Sequence, residues 1–186
     1  MIQKKIRIAI LTTIALCILL LTWMMVIYGT SSIVSEIGIT NVYGIAFIVA
    51  AIASASIVTS ASYYGFVIAL TSNSGVNPYL LSIVLGAGMT VGDIFFFKLG
   101  KETRLLLPKK VRKHVDKLIT WIIAKNNRYL ATLTFLWAAF LPLPNDVITI
   151  STGVASTNWR YVIPSMFFGN ILFIYLFTYF ITPLFS

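Results

Sequence analysis

The sequence predicts an all-α integral membrane protein in a single membrane domain. Its expected plan is an inverted repeat of two opposed re-entrant helical hairpins, each followed by a transmembrane helix. An N-terminal transmembrane helix and a cytoplasmic amphipathic helix complete it. Three observations carry this expectation. The chain of 186 residues is 59% hydrophobic and only 10% charged, whereas soluble domains carry about 25% charged residues. Ten of the fourteen basic residues fall between Lys98 and Arg128. Finally, the apolar run Phe140-Leu-Pro-Leu-Pro-Asn-Asp-Val-Ile-Thr-Ile-Ser-Thr-Gly153 is interrupted by two prolines, an amide and a carboxylate.

The elements follow in order. Lys4, Lys5 and Arg7 precede an apolar run over 8–28. It is longer than the ~7–15-residue core of a signal peptide and meets the ~20 residues that a span needs. The charges place the N-terminus in the cytoplasm. The first repeat occupies 43–99. Its opening stretch, Tyr43 to Leu70, holds Ala53-Ser-Ala-Ser-Ile-Val-Thr-Ser-Ala-Ser62 at its middle. Taken alone, this is either one tilted span with a small-residue face or a bent segment whose hydroxyls satisfy freed backbone groups. Asn77 and Pro78 read as N-cap and first residue of the next helix, which should run to about Leu99. Gly88 and Gly92 give that helix a small-residue face for close packing.

The linker over 100–128 is strongly basic and therefore cytoplasmic. Val111, Val115, Leu118 and Ile122 recur at helical spacing, so it reads as an amphipathic helix on anionic lipid, with a soluble connector as the alternative. His114 belongs to its wet basic face. The second repeat covers 129–182. Tyr129 to Phe140 is too short to span, and Pro142 and Pro144 forbid a continuous helix beyond it. Asn145 and Asp146 are N-cap types, so a short helix should start near Val147, with Gly153 able to end it. Trp159 and Arg160 suit a membrane interface. The last span runs from Tyr161 to Ile181, with Pro164 in its first turn.

Counting sides then gives the hairpins. The basic loop is inside, so the helix from Asn77 starts outside, where the first span also ends. Tyr43–Leu70 must enter and leave from outside. The 129–155 segment begins inside, and Arg160 indicates that it ends inside. The C-terminus is outside. An ungapped offset pairs Asn77 with Asn158, Gly88 with Gly169, Ala61 with Pro142 and Gly65 with Asp146, which sets the serine-rich break against the proline-rich one.

Broken helices at membrane depth are a usual way to build a transport site. The candidate substrate- or ion-binding residues are Asp93, Asp146, Asn145, Pro142, Pro144, Gly92, Gly153, Ser60, Ser62 and Arg160. Intramembrane carboxylates are functional candidates by default. For Asp146 the competing role is a helix cap, and for Asp93 a hydrogen-bonded packing residue. The single cysteine, Cys17, allows no internal disulfide. No metal-ligand spacing, phosphate loop or nucleophile–base pair is visible, so an enzyme ranks last and no cofactor or metal is implied. The net charge of +9 sits beside apolar spans and does not point to nucleic acid.

Gly86-Ala-Gly-Met-Thr-Val-Gly-Asp93 with Phe97-Lys-Leu-Gly-Lys101, and Pro142-Leu-Pro-Asn-Asp146 with Gly153, resemble the two motif stretches of the DedA-like family. That family is also called the VTT-domain or SNARE-associated Golgi family, and the likeness covers roughly Tyr43 to Phe180. The resemblance implies facing re-entrant hairpins in a prokaryotic cytoplasmic membrane. It also implies movement of phospholipid or polyprenyl phosphate across the bilayer, as a flippase or scramblase coupled in some members to protons or sodium. Partners would be anionic lipid headgroups, and a homo-oligomer is compatible with this. Two positions depart from the family. Gly65 stands where members often carry an acid, and Ala139 where they often carry an arginine. The alternatives are an ion-coupled carrier of a small soluble solute and a non-transport membrane scaffold.

Overall fold

Asparagine and proline set the helix starts. The computed structural model describes residues 41–53, 57–71, 76–106, 127–141 and 145–181, with Ile27, Pro108 and Lys113 as isolated positions. Most of the expected first span and of the basic linker, together with Pro142 and Pro144, lies outside the described residues. The described residues form helices: α1 (Val42–Ala53), α2 (Ile57–Thr71), α3 (Pro78–Leu106), α4 (Asn127–Phe140), α5 (Asn145–Val154) and α6 (Trp159–Leu176), which ends in a π-helical turn, Phe177–Ile181. Two are long and apolar enough to cross a membrane: α3, of 29 residues, and α6 with its extension to Phe180, of 22 residues.

Both long helices begin with the same device. The Asn77 carboxamide oxygen accepts from the backbone N–H groups of Tyr79 (3.0 Å) and Leu80 (3.2 Å), and Pro78 follows as the first helical residue. The Asn158 carboxamide oxygen accepts from Arg160 N–H at 3.1 Å. Each bond satisfies a donor that the first turn leaves without an intrahelical partner.

Two helix bounds differ from expectation. The α3 helix does not stop near Leu99 but continues to Leu106. Lys101, Glu102 and Arg104 are good helix formers, and emergence into water gives them no reason to unwind. At 1.5 Å per residue, α3 is about 43 Å long, well beyond the about 30 Å of a hydrocarbon core. In turn, α6 starts at Trp159, so Pro164 lies in its second turn rather than its first. The helix tolerates it at an exposed position, where the carbonyl left unpaired four residues earlier can reach solvent.

Packing centres on α3, which contacts α1, α5 and α6, while α4 packs on α6. Glycines make the crossings close. A Cβ on Gly88 would strike the Phe47 carbonyl of α1 and lie 2.8 Å from the Ala50 Cβ. A Cβ on Gly169 would lie 3.0 Å from the Phe135 carbonyl of α4 and 2.7 Å from the Ala138 Cβ. Where α5 crosses α3, Gly153 faces Gly100: a Cβ on either would come within 3.1 Å of the other's Cα, and would strike the Phe97 or the Ile150 carbonyl.

Both ends of the α1–α2 pair lie beside the start of α3. Asn77 N–H donates to the Tyr43 hydroxyl (3.0 Å), and Val42, Leu70, Val76 and Leu81 share one buried cluster. The start of α4 and the end of α5 lie beside the far part of α3. Leu130 is buried in a cluster with Phe97, and Arg104 Nη1 donates to the Val154 carbonyl at 3.1 Å.

Gly153 does not end α5 as its type suggests. Ser156 takes the left-handed position, at φ 52°. Its N–H donates to the Gly153 carbonyl (2.8 Å), and Thr157 N–H donates to the Thr152 carbonyl (3.1 Å), which together form a Schellman termination. Gly153 is thereby free to serve the crossing with α3.

Candidate functional site

An aspartate and two asparagines from three helices meet inside the bundle. Asp93 on α3 and Asn170 on α6 are 1% and 0% exposed, and Asn145 at the start of α5 is buried. Asn170 Nδ2 donates to Asp93 Oδ2 at 2.7 Å and lies 3.2 Å from the Thr90 hydroxyl. Its carbonyl oxygen accepts from Asn145 Nδ2 at 2.7 Å. The Thr90 hydroxyl donates to the Gly86 carbonyl, and that of Thr149 to the Asn145 carbonyl, both at 2.7 Å. Asn170 therefore commits its amide group on both sides and ties α3 to α5. In a low-dielectric interior such bonds are strong, and an unpaired member is costly.

The start of α5 departs from the expected cap. The helix begins at Asn145, two residues before Val147. Asn145 turns its side chain to Asn170 instead of back to its own first turn, because a buried amide needs a buried partner. Asp146 accepts from the adjacent Val147 N–H (3.1 Å), not from a residue two or three further on. Its carboxylate is half-buried and close enough to Asp93 for their charges to repel.

Asp146 also stands at the edge of the bundle. Its chain neighbour Val147 is 51% exposed, and Phe140 and Leu141 at the end of α4 are 56% and 41% exposed. The start of α5 thus carries a buried amide, a half-buried carboxylate and an exposed apolar side chain in succession.

The other expected site residues disperse. Gly92 is buried on α3 next to Asp93. Gly153 belongs to the α3–α5 crossing. Ser60 and Ser62 lie within α2, and their side chains, like Pro142 and Pro144, lie outside the described residues. Arg160 is exposed in the first turn of α6. Ten residues, about 15 Å of helix, separate it from Asn170, so it does not join the polar core.

Asn170, Thr90 and Thr149 were missed. Asn170 had a signal: it is the one amide in the apolar stretch from Tyr161 to Ile181, and polar groups at that depth are functional candidates. The expectation took up the amide beside the proline break, Asn145, and passed over the one inside the last span. Ala139 and Gly65 stand in different surroundings. Ala139 is buried, with its backbone N 3.3 Å from a Cβ built on Gly169, at a crossing that leaves an arginine no room. Gly65 is exposed, and a Cβ there would meet nothing within 4 Å.

No family model, curated protein or solved structure matches the chain.

Proposed function

We propose that the protein moves a phosphate-bearing lipid, a phospholipid or polyprenyl phosphate, across a bilayer by way of the polar core around Asp93, Asn145 and Asp146. The observation that carries this is the position of Asp146, half-buried at the start of α5 between the buried Asn145 and the exposed Val147. A headgroup could reach that carboxylate while its chains stay in oil. A carrier of a soluble solute would instead need its polar groups walled off from lipid. The two carboxylates repel an anion, so a cation, proton or sodium, would have to accompany the headgroup. That is a physical reason for coupling to an ion gradient.

The inverted repeat belongs to the same proposal. The contact of Phe47 and Ala50 with Gly88 recurs as that of Phe135 and Ala138 with Gly169. The Asn77 cap recurs as the Asn158 cap. The paired ends of α1–α2 and of α4–α5, at opposite parts of α3, support two hairpins that enter from opposite faces; the basic residues of the sequence alone favour the N-terminus inside and the C-terminus outside. Exposed apolar side chains such as Ile83, Val91, Leu136 and Phe168, over a core of amides and an acid, have the polarity expected in lipid.

The test is transport. Purified protein in liposomes should accelerate transbilayer movement of a labelled phospholipid or polyprenyl phosphate. Movement no faster than in protein-free liposomes, across several headgroups and with an imposed ion gradient, would reject this reading and leave a scaffold.

A further inference from the structure

A second feature lies away from the Asp93 core, at the basic end of α3. A groove of about 360 Å³ runs between α3 and α6, lined by Ile94, Phe97, Lys98, Lys101, Trp159 and Ile163. Its volume is in the range of small-molecule sites, about 300–1,000 Å³. Phe97 and Ile163 are buried and Ile94 is partly buried, which makes an apolar floor; Lys98, Lys101 and Trp159 are exposed at the rim. The Lys101 ammonium sits 5.2 Å from the centre of the Phe97 ring, so it leans over the groove wall. Among the described residues neither lysine has a carboxylate partner.

We propose that this groove seats the headgroup of an anionic phospholipid. Lys98 and Lys101 hold the phosphate, Trp159 stands at the glycerol level, and the first acyl carbons lie along Ile94, Phe97 and Ile163. Depth and polarity select a lipid over a soluble phosphate. Exposed Tyr79 and exposed Lys98 are nineteen residues apart on one helix, which is about 28 Å and close to the hydrocarbon thickness of about 30 Å. The lysines therefore stand at headgroup level. Val91 and Phe168, about a turn further in, are exposed and apolar, so a chain leaving the groove remains in oil. A free phosphate would find two ammonium groups over an apolar floor. The inference rests on a membrane location and not on lipid movement.

The test is tryptophan quenching in detergent micelles with the full chain. The Trp159 component is read as the difference between wild type and Trp159→Phe. Brominated phosphatidylglycerol should quench it at a concentration about tenfold or more below that of brominated phosphatidylcholine, given the attraction of two lysines for an anionic headgroup. Lys98→Gln/Lys101→Gln should abolish the preference, Lys98→Arg/Lys101→Arg should keep it, and millimolar sn-glycerol 3-phosphate should not displace the lipid.

Equal quenching by both lipids would overturn the proposal. So would a preference that survives the double glutamine variant, which would assign lipid capture to the basic stretch 107–126. Displacement by glycerol phosphate would make the groove a soluble-phosphate site. Binding without transbilayer movement in liposomes would reject the translocation reading alone, and movement without the lipid preference would reject the groove alone.

Discussion

Asn170 decides whether the polar core holds together. Asn170→Leu would leave Asp93 Oδ2 and Asn145 Nδ2 without the partners they now have. Each orphaned buried group costs about 1–3 kcal/mol. For a chain of this size each kcal/mol shifts Tm by about 2–4 °C. We expect a clear fall in the detergent melting temperature, and an unchanged Tm would show the network to be energetically idle. Asp93→Asn keeps an acceptor for Asn170, so it should fold normally while losing any dependence of transport on a proton gradient. Asp146→Asn should also fold normally, because an asparagine keeps an oxygen that can accept from the Val147 N–H, and should transport poorly. Wild-type rate and ion dependence in both asparagine variants would remove the carboxylates from the mechanism.

Helix crossings carry the next level of argument. Gly153→Ala would drive a methyl into the Phe97 carbonyl, and Gly169→Ala into Ala138. Overpacking of this kind costs about 1–3 kcal/mol. Gly65→Ala meets open space in α2 and should gain up to about 1 kcal/mol from helix propensity. A thermal-unfolding series that failed to separate Gly65→Ala from the other two would contradict these crossings. The first cap was legible in the sequence because capping is local: Asn77 and Pro78 declare themselves within four residues, whereas Asn158 was read as part of a turn. Gly153 was misread because its partner, Gly100, is far upstream, and only tertiary contact reveals the crossing. Nothing about Ser156 marked it for the left-handed position.

At the scale of the whole molecule, the proposed repeat would be only half visible in the sequence. Gly88 to Gly169 is a step of 81, whereas Phe47 to Phe135 and Ala50 to Ala138 are steps of 88. One ungapped offset aligns the long helices and leaves α1 and α4 seven residues out, about two turns. The shared Phe-x-x-Ala-Ala at 47–51 and 135–139 was missed for that reason. The class of fold needed only composition and the position of charge. The burial of Asn170 against Asp93 needed the packing of α6. Topology is open to a direct test with Cys17 replaced by serine. Single cysteines at Asn41 and Ser74 should label from one side of sealed vesicles, and those at Asn127 and Ser156 from the other. Labelling of the first pair and the second from the same side would remove the opposed hairpins.

The excess length of α3 has a mechanical consequence. Its last turns project past the depth of Lys98, and one of them grips the end of α5 through Arg104 and the Val154 carbonyl. From that grip α5 runs ten residues, about 15 Å, to Asn145. The projection has the geometry of a tiller: a tilt applied to it would act on α5 through Arg104, at the end opposite the amide that faces Asn170.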